Sequence, residues 1–94
     1  MKLKVSEEAA QWYIDELFLE PNQSIKFFGK VYGPHDGFSI ALDVAEPSKT
    51  LAEITVKGIN FYIDANDAWF FDNYNLDISF DEKLKEPKYN LIKI

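Results

Sequence analysis

"SIKFFGKVYGPHDGFSIALDVA" (residues 24–45) decides the fold. Hydrophobicity alternates with period two on both sides of a Gly-Pro-His-Asp-Gly cluster. Ile25, Phe27 and Val31 point one way, with Lys26, Phe28, Lys30 and Tyr32 on the opposite face. Phe38, Ile40, Leu42 and Val44 then alternate with Ser39, Ala41, Asp43 and Ala45. Period two places one set on a buried sheet face and the other on a solvated one, so the stretch predicts two half-buried strands joined by a turn.

Upstream the period changes. "KLKV" (2–5) is short and alternating, as in a strand. Ser6 sits where an N-cap belongs, and Glu7 and Glu8 follow in the first turn, where acids favour the positive end of the helix dipole. Ala10, Tyr13, Ile14 and Leu17 recur at helical spacing, and Pro21-Asn22 ends the pattern. A helix over about 6–19 follows. Downstream, "EITVKGINFYID" (53–64) alternates on both sides of Lys57-Gly58, as a hairpin or one bent strand. "ANDAWFFDNYN" (65–75) reads as a helical turn and a loop whose aromatics plug one end of the core. "LDISF" (76–80) is a strand, "DEKLKEP" a polar connection, and "KYNLIKI" a final edge strand. One helix and five to seven short strands predict a single α+β domain over 1–94, mostly antiparallel, with a curled or barrel-like sheet.

Composition narrows the chemistry. The 94 residues are 47% hydrophobic and 16% aromatic, enough for a core without staples. No cysteine is present, which excludes disulfides, thiolate nucleophiles and thiolate metal sites, and suits a reducing cytosol. The N-terminus has no secretory pattern, and no apolar run reaches the ~20 residues that span a bilayer. A net charge of −6 and a pI near 4.6 argue against nucleic acid as a partner. A cytoplasmic protein without a membrane or nucleic-acid partner is expected, with no set oligomeric state.

His35 is the sole imidazole, between Pro34 and Asp36. Its plain reading is a solvated loop histidine. Its sharper reading is a weak, oxygen-rich site for iron or another divalent metal, held by His35 and Asp36 with carboxylates brought near by folding. Asp64, Asp67 and Asp72 lack the alternate ligands and glycine of a calcium loop, so capping and solvation explain them. Gly29, Gly33, Gly37 and Gly58 form no phosphate-binding motif, and serve turns, bulges and close packing. No nucleophile stands in a triad or elbow context, so no enzyme is expected. Trp69-Phe70-Phe71 cannot all face inward, so part of that run is a candidate patch for a protein partner.

The order of these motifs resembles the HesB-like, A-type iron–sulfur carrier family. "VSEEAAQWYIDEL" (5–17) resembles its strand–helix opening, and "IKFFGKVYGPHDGFSIAL" (25–42) its strands around a glycine-rich turn. "GINFYIDANDAWFFDNYNLDI" (58–78) resembles its later part, with Gly58, Asp64, Phe71, Leu76 and Asp77 at matching offsets and Asn73 in place of glycine. The resemblance covers about residues 3–80 and implies a β-rich pseudo-barrel with one N-terminal helix. It also implies three cluster-ligating cysteines. Here His35 stands about where the first would be, and "KEPKYNLIKI" holds no equivalent of the terminal pair. The chain is thus similar to a cysteine-less bacterial branch. The implied function is an iron–sulfur-biosynthesis family protein without a bound cofactor, acting as a non-enzymatic adaptor for a protein partner near Trp69–Phe71 or Gly33–Gly37.

Overall fold

The computed structural model describes residues 1–32 and 37–94, with side chains for 1–30 and 39–94. Strand β1 (Leu3–Val5) leads into helix α1 (Glu7–Leu17). Strands β2 (Ser24–Tyr32), β3 (Gly37–Val44), β4 (Thr50–Val56) and β5 (Ile59–Asp64) follow. A 3-10 turn at Ala65–Asp67 then leads to β6 (Tyr74–Asp81) and β7 (Glu86–Lys93). The fold is α+β, with one helix and two mixed sheets. Their orders are β1-β6-β7 and β3-β2-β5-β4. The pseudo-barrel therefore takes the form of two sheets that do not close into a barrel. The sheets meet where β1 lies against β4 and β5, while β3 and β7 form sheet ends away from that junction.

Local chemistry accounts for most elements. Ser6 caps α1, its Oγ accepting from the Ala9 N–H at 3.1 Å. The 57–58 turn gives a two-residue hairpin, Val56 pairing with Ile59. Lys57 (φ 53°) and Gly58 (φ 80°) both take the positive φ that a type I′ turn requires. Asn73 is also left-handed, at φ 66°. Ile25 and Phe27 are buried as their alternation predicts, whereas Val44, near the open end of β3, is 44% exposed.

The core lies between the sheets. Tyr13 of α1 packs its ring 5.7 Å from Phe27 and 5.9 Å from Phe61, which stack on each other at 5.9 Å. Leu3, Val5, Ala9, Ala10, Leu76 and Ile78 complete the contact surface. The 65–73 crossover joins one sheet to the other and closes one end of this core. Phe71 is buried there, and Phe70 fills the space over Gly29, where a Cβ would overlap its ring.

Tyr62 departs from strand alternation. It faces outward between inward Phe61 and Ile63, yet is 1% exposed. The reason is topological. Because β3 and β4 sit at opposite ends of their sheet, residues 45–49 must cross β2 and β5, three strand spacings or roughly 14 Å. The crossing runs over the outer face, and Tyr62 donates its hydroxyl to the Ala45 carbonyl at 2.9 Å. Burial raises the Tyr62 pKa, with help from Asp64, Glu46 and Asp43 nearby.

Candidate functional site

Three surface features near the ends of the core present chemistry suited to recognition. The first is an open depression of about 550 Å³ between the two sheet ends, lined by Ser39 and Ile40 of β3 and Tyr89 and Leu91 of β7. Its floor is tied to the core by the Tyr13 and Tyr89 hydroxyls, 2.6 Å apart. Burial, then the neighbouring Tyr89, raises the Tyr13 pKa far above the ordinary tyrosine range. Burial also raises that of Tyr89, against the opposing effect of the Tyr13 hydrogen bond. Both hydroxyls therefore stay protonated at neutral pH, and they fix position without supplying a base.

The second feature is the crossover. Of the Trp69–Phe71 run, Trp69 alone is exposed, at 64%. Its ring meets Phe70 edge-on at 5.8 Å, and Phe70 meets Phe71 at 5.0 Å. The run thus divides into a surface aromatic, a wedge over Gly29 and a core residue. Asp64 serves the backbone there, its Oδ1 accepting from the Asn66 N–H at 2.8 Å and capping the 3-10 turn. Burial raises the Asp67 carboxyl pKa, with Lys26 opposing and Asp64 adding to the shift.

The third feature lies at the end of α1, where Leu17 and Phe18 are exposed, Phe18 to 88%. Sequence periodicity had put Leu17 on the buried stripe. The stripe is instead Ala9, Ala10 and Tyr13, with Ile14 half-buried, because the core ends before Leu17. Phe18 is a functional candidate that sequence reasoning missed. The signal available was a large apolar residue directly after the last helical turn, where glycine is favoured.

His35, Asp36 and the Gly33-Pro34 part of the turn lie outside the described residues. Among the described residues no group of three or more histidine, aspartate or glutamate side chains converges as a metal site. No described helix is long and apolar enough to cross a membrane. The arrangement offers apolar and aromatic surface for contact with another molecule.

No family model matches the chain. A Bacillus subtilis protein named pyruvate dehydrogenase inhibitor is 33% identical over 92 residues, covering 95% of this chain and 97% of that protein. A Staphylococcus saprophyticus protein, named only as uncharacterized protein SSP1406, is 30% identical over 95 residues, covering 95% and 97%. These findings correct the expectation of a HesB-like iron–sulfur carrier and of a role in iron–sulfur biosynthesis. The resemblance rested on turn glycines, an N-capped helix and strand alternation. Any chain that builds one capped helix and short hairpins needs those residues for backbone reasons. The alternative of a weak iron or divalent-metal binder through His35 and Asp36 is set aside as well, since the full-length relative is named for inhibition of an enzyme. The chain belongs to the family of the Bacillus subtilis pyruvate dehydrogenase inhibitor.

Proposed function

We propose that this protein is a non-catalytic protein inhibitor of pyruvate dehydrogenase that works in the cytoplasm by binding the enzyme. The observation that carries the reading is the 33% identity to the inhibitor-named relative across 95% of this chain. Three features support it. A binding role needs no nucleophile, base or orienter, and the sequence offers none in a recognisable context. Trp69 and Phe18 place two large aromatics in solvent, the residue type that dominates protein–protein contact energy. A chain without cysteine suits a reducing compartment.

The test is direct. The purified chain is titrated into a steady-state assay of purified pyruvate dehydrogenase, with binding followed in parallel by sedimentation. A saturable fall in activity, with co-sedimentation at the same concentrations, is expected. Full activity at a large molar excess of the chain would sink the proposal.

A further inference from the structure

The last turn of α1 departs from the local rules of helix termination at Phe18 and in its charge. The Leu19 N–H reaches the Ile14 carbonyl at 3.1 Å, and the Phe18 N–H also donates to Ile14. This is the six-to-one closure that puts one residue in the left-handed conformation. That residue is Phe18, at φ 52° and ψ 47°. Glycine is favoured here because a Cβ crowds the following carbonyl. A phenylalanine would be compensated by burying its ring, but Phe18 is 88% exposed. Beside it, exposed Asp15 and Glu16 occupy the negative end of the helix dipole, where basic residues are favoured and none is present. Departures from local rules without a gain inside the fold are expected where a surface serves a partner.

Charge distribution identifies the partner's chemistry. Residues 7–20 contain Glu7, Glu8, Asp15, Glu16 and Glu20 and no lysine or arginine. Of the sixteen acids in the chain, the other eleven are nearly balanced by ten lysines, so five of the six net negative charges belong to this segment. All five side chains are exposed. Asp15 accepts from the Gln11 side-chain amide at 2.9 Å, and among the described residues the ion pair formed is Lys85–Glu82, far along the chain, so none of these five acids is neutralised by a cation there. Trp69 differs, since its ring packs edge-on against Phe70.

We infer that the Leu17–Phe18 knuckle is the docking surface for the inhibited enzyme, and that its occupant is an apolar pocket on that protein rimmed by lysine and arginine. The inference rests on the inhibitor reading above. Phe18 fills the pocket, and the acidic face of α1 steers and orients the approach.

The experiment measures inhibition of purified pyruvate dehydrogenase by the wild-type chain, Phe18→Gly, Asp15→Lys/Glu16→Lys and Trp69→Ala, at low and high salt, with a thermal melt of each. Phe18→Gly is expected to melt no lower than wild type, because glycine suits the left-handed position, yet to need at least about tenfold more protein for half-inhibition. The charge reversal is expected to weaken inhibition at low salt and to flatten its salt dependence. Trp69→Ala removes the other exposed aromatic, and its loss of inhibition is expected to be smaller than that of Phe18→Gly. Unchanged inhibition by Phe18→Gly, or a loss confined to Trp69→Ala, overturns the inference and leaves the inhibitor reading standing. A wild-type chain that does not inhibit overturns both.

Discussion

Replacing Gly29 by alanine tests how the 65–73 crossover is held. The added Cβ would overlap the Phe70 ring. That ring has limited freedom to retreat: Phe71 packs behind it at 5.0 Å and is itself buried, and Trp69 meets it at 5.8 Å. Forcing a methyl into such a contact destabilises by about 1–3 kcal/mol. Against this, alanine in a strand is favoured over glycine by roughly 0.5–1 kcal/mol. At mid-range values the net expectation is a loss of about 1 kcal/mol, or a drop in Tm of roughly 4–8 °C for a domain of this size. Far-UV circular dichroism melts and urea titrations measure it, and Trp69 fluorescence reports the crossover separately. The decisive arm repeats the change in a Phe70→Ala background. With the ring gone the overlap disappears, so alanine at position 29 should become stabilising by about 0.5 kcal/mol. An equal loss in both backgrounds, or no loss in the first, would refute the assignment of Gly29 as the seat of Phe70.

Two further perturbations address the tyrosines. Tyr13→Phe removes the hydroxyl bonded to Tyr89 and should cost about 1 kcal/mol at neutral pH, read from urea unfolding. The Tyr13 pKa is raised in the folded state, so above about pH 10 the unfolded chain loses this proton while the native one keeps it. Stability should therefore fall as pH rises through that region, by about 1.4 kcal/mol per pH unit for this group. Tyr13→Phe should reduce that alkaline slope, and an unchanged slope would rule out Tyr13 as its source. Tyr62→Phe removes the bond to the Ala45 carbonyl and should destabilise by about 1 kcal/mol. It should also speed hydrogen exchange in residues 45–49, and unaltered exchange there would show that the crossing segment is held by other contacts.

Much of the architecture was legible in the chain because it depends on neighbours a few residues apart. Ser6 caps α1 through an N–H three residues away. Lys57-Gly58 makes a tight hairpin because glycine accepts positive φ. Ile25 and Phe27 reach the core because a strand turns alternate side chains the same way. Asp64 caps the turn that follows it. The same local character misled the family reading, since capped helices and glycine turns recur in unrelated chains for the same backbone reasons.

The site was far less legible, because exposure is decided by contacts between distant residues. Tyr13 and Tyr89 share a hydrogen bond across 76 positions. Tyr62 is buried on an outward face because a segment 17 residues earlier passes over it. Trp69, Phe70 and Phe71 are equivalent in sequence, and only the crossover geometry sends one to solvent, one onto Gly29 and one to the core. Leu17 lies on the helical stripe and Phe18 directly after the helix, but the core ends before both. The sequence by itself determined the elements, their caps and turns, and the concentration of negative charge on residues 7–20, since each follows from local backbone preference or from counting. Only the tertiary structure decided which apolar side chains remain outside, because burial is set by what else packs against a surface, and no local pattern carries that information.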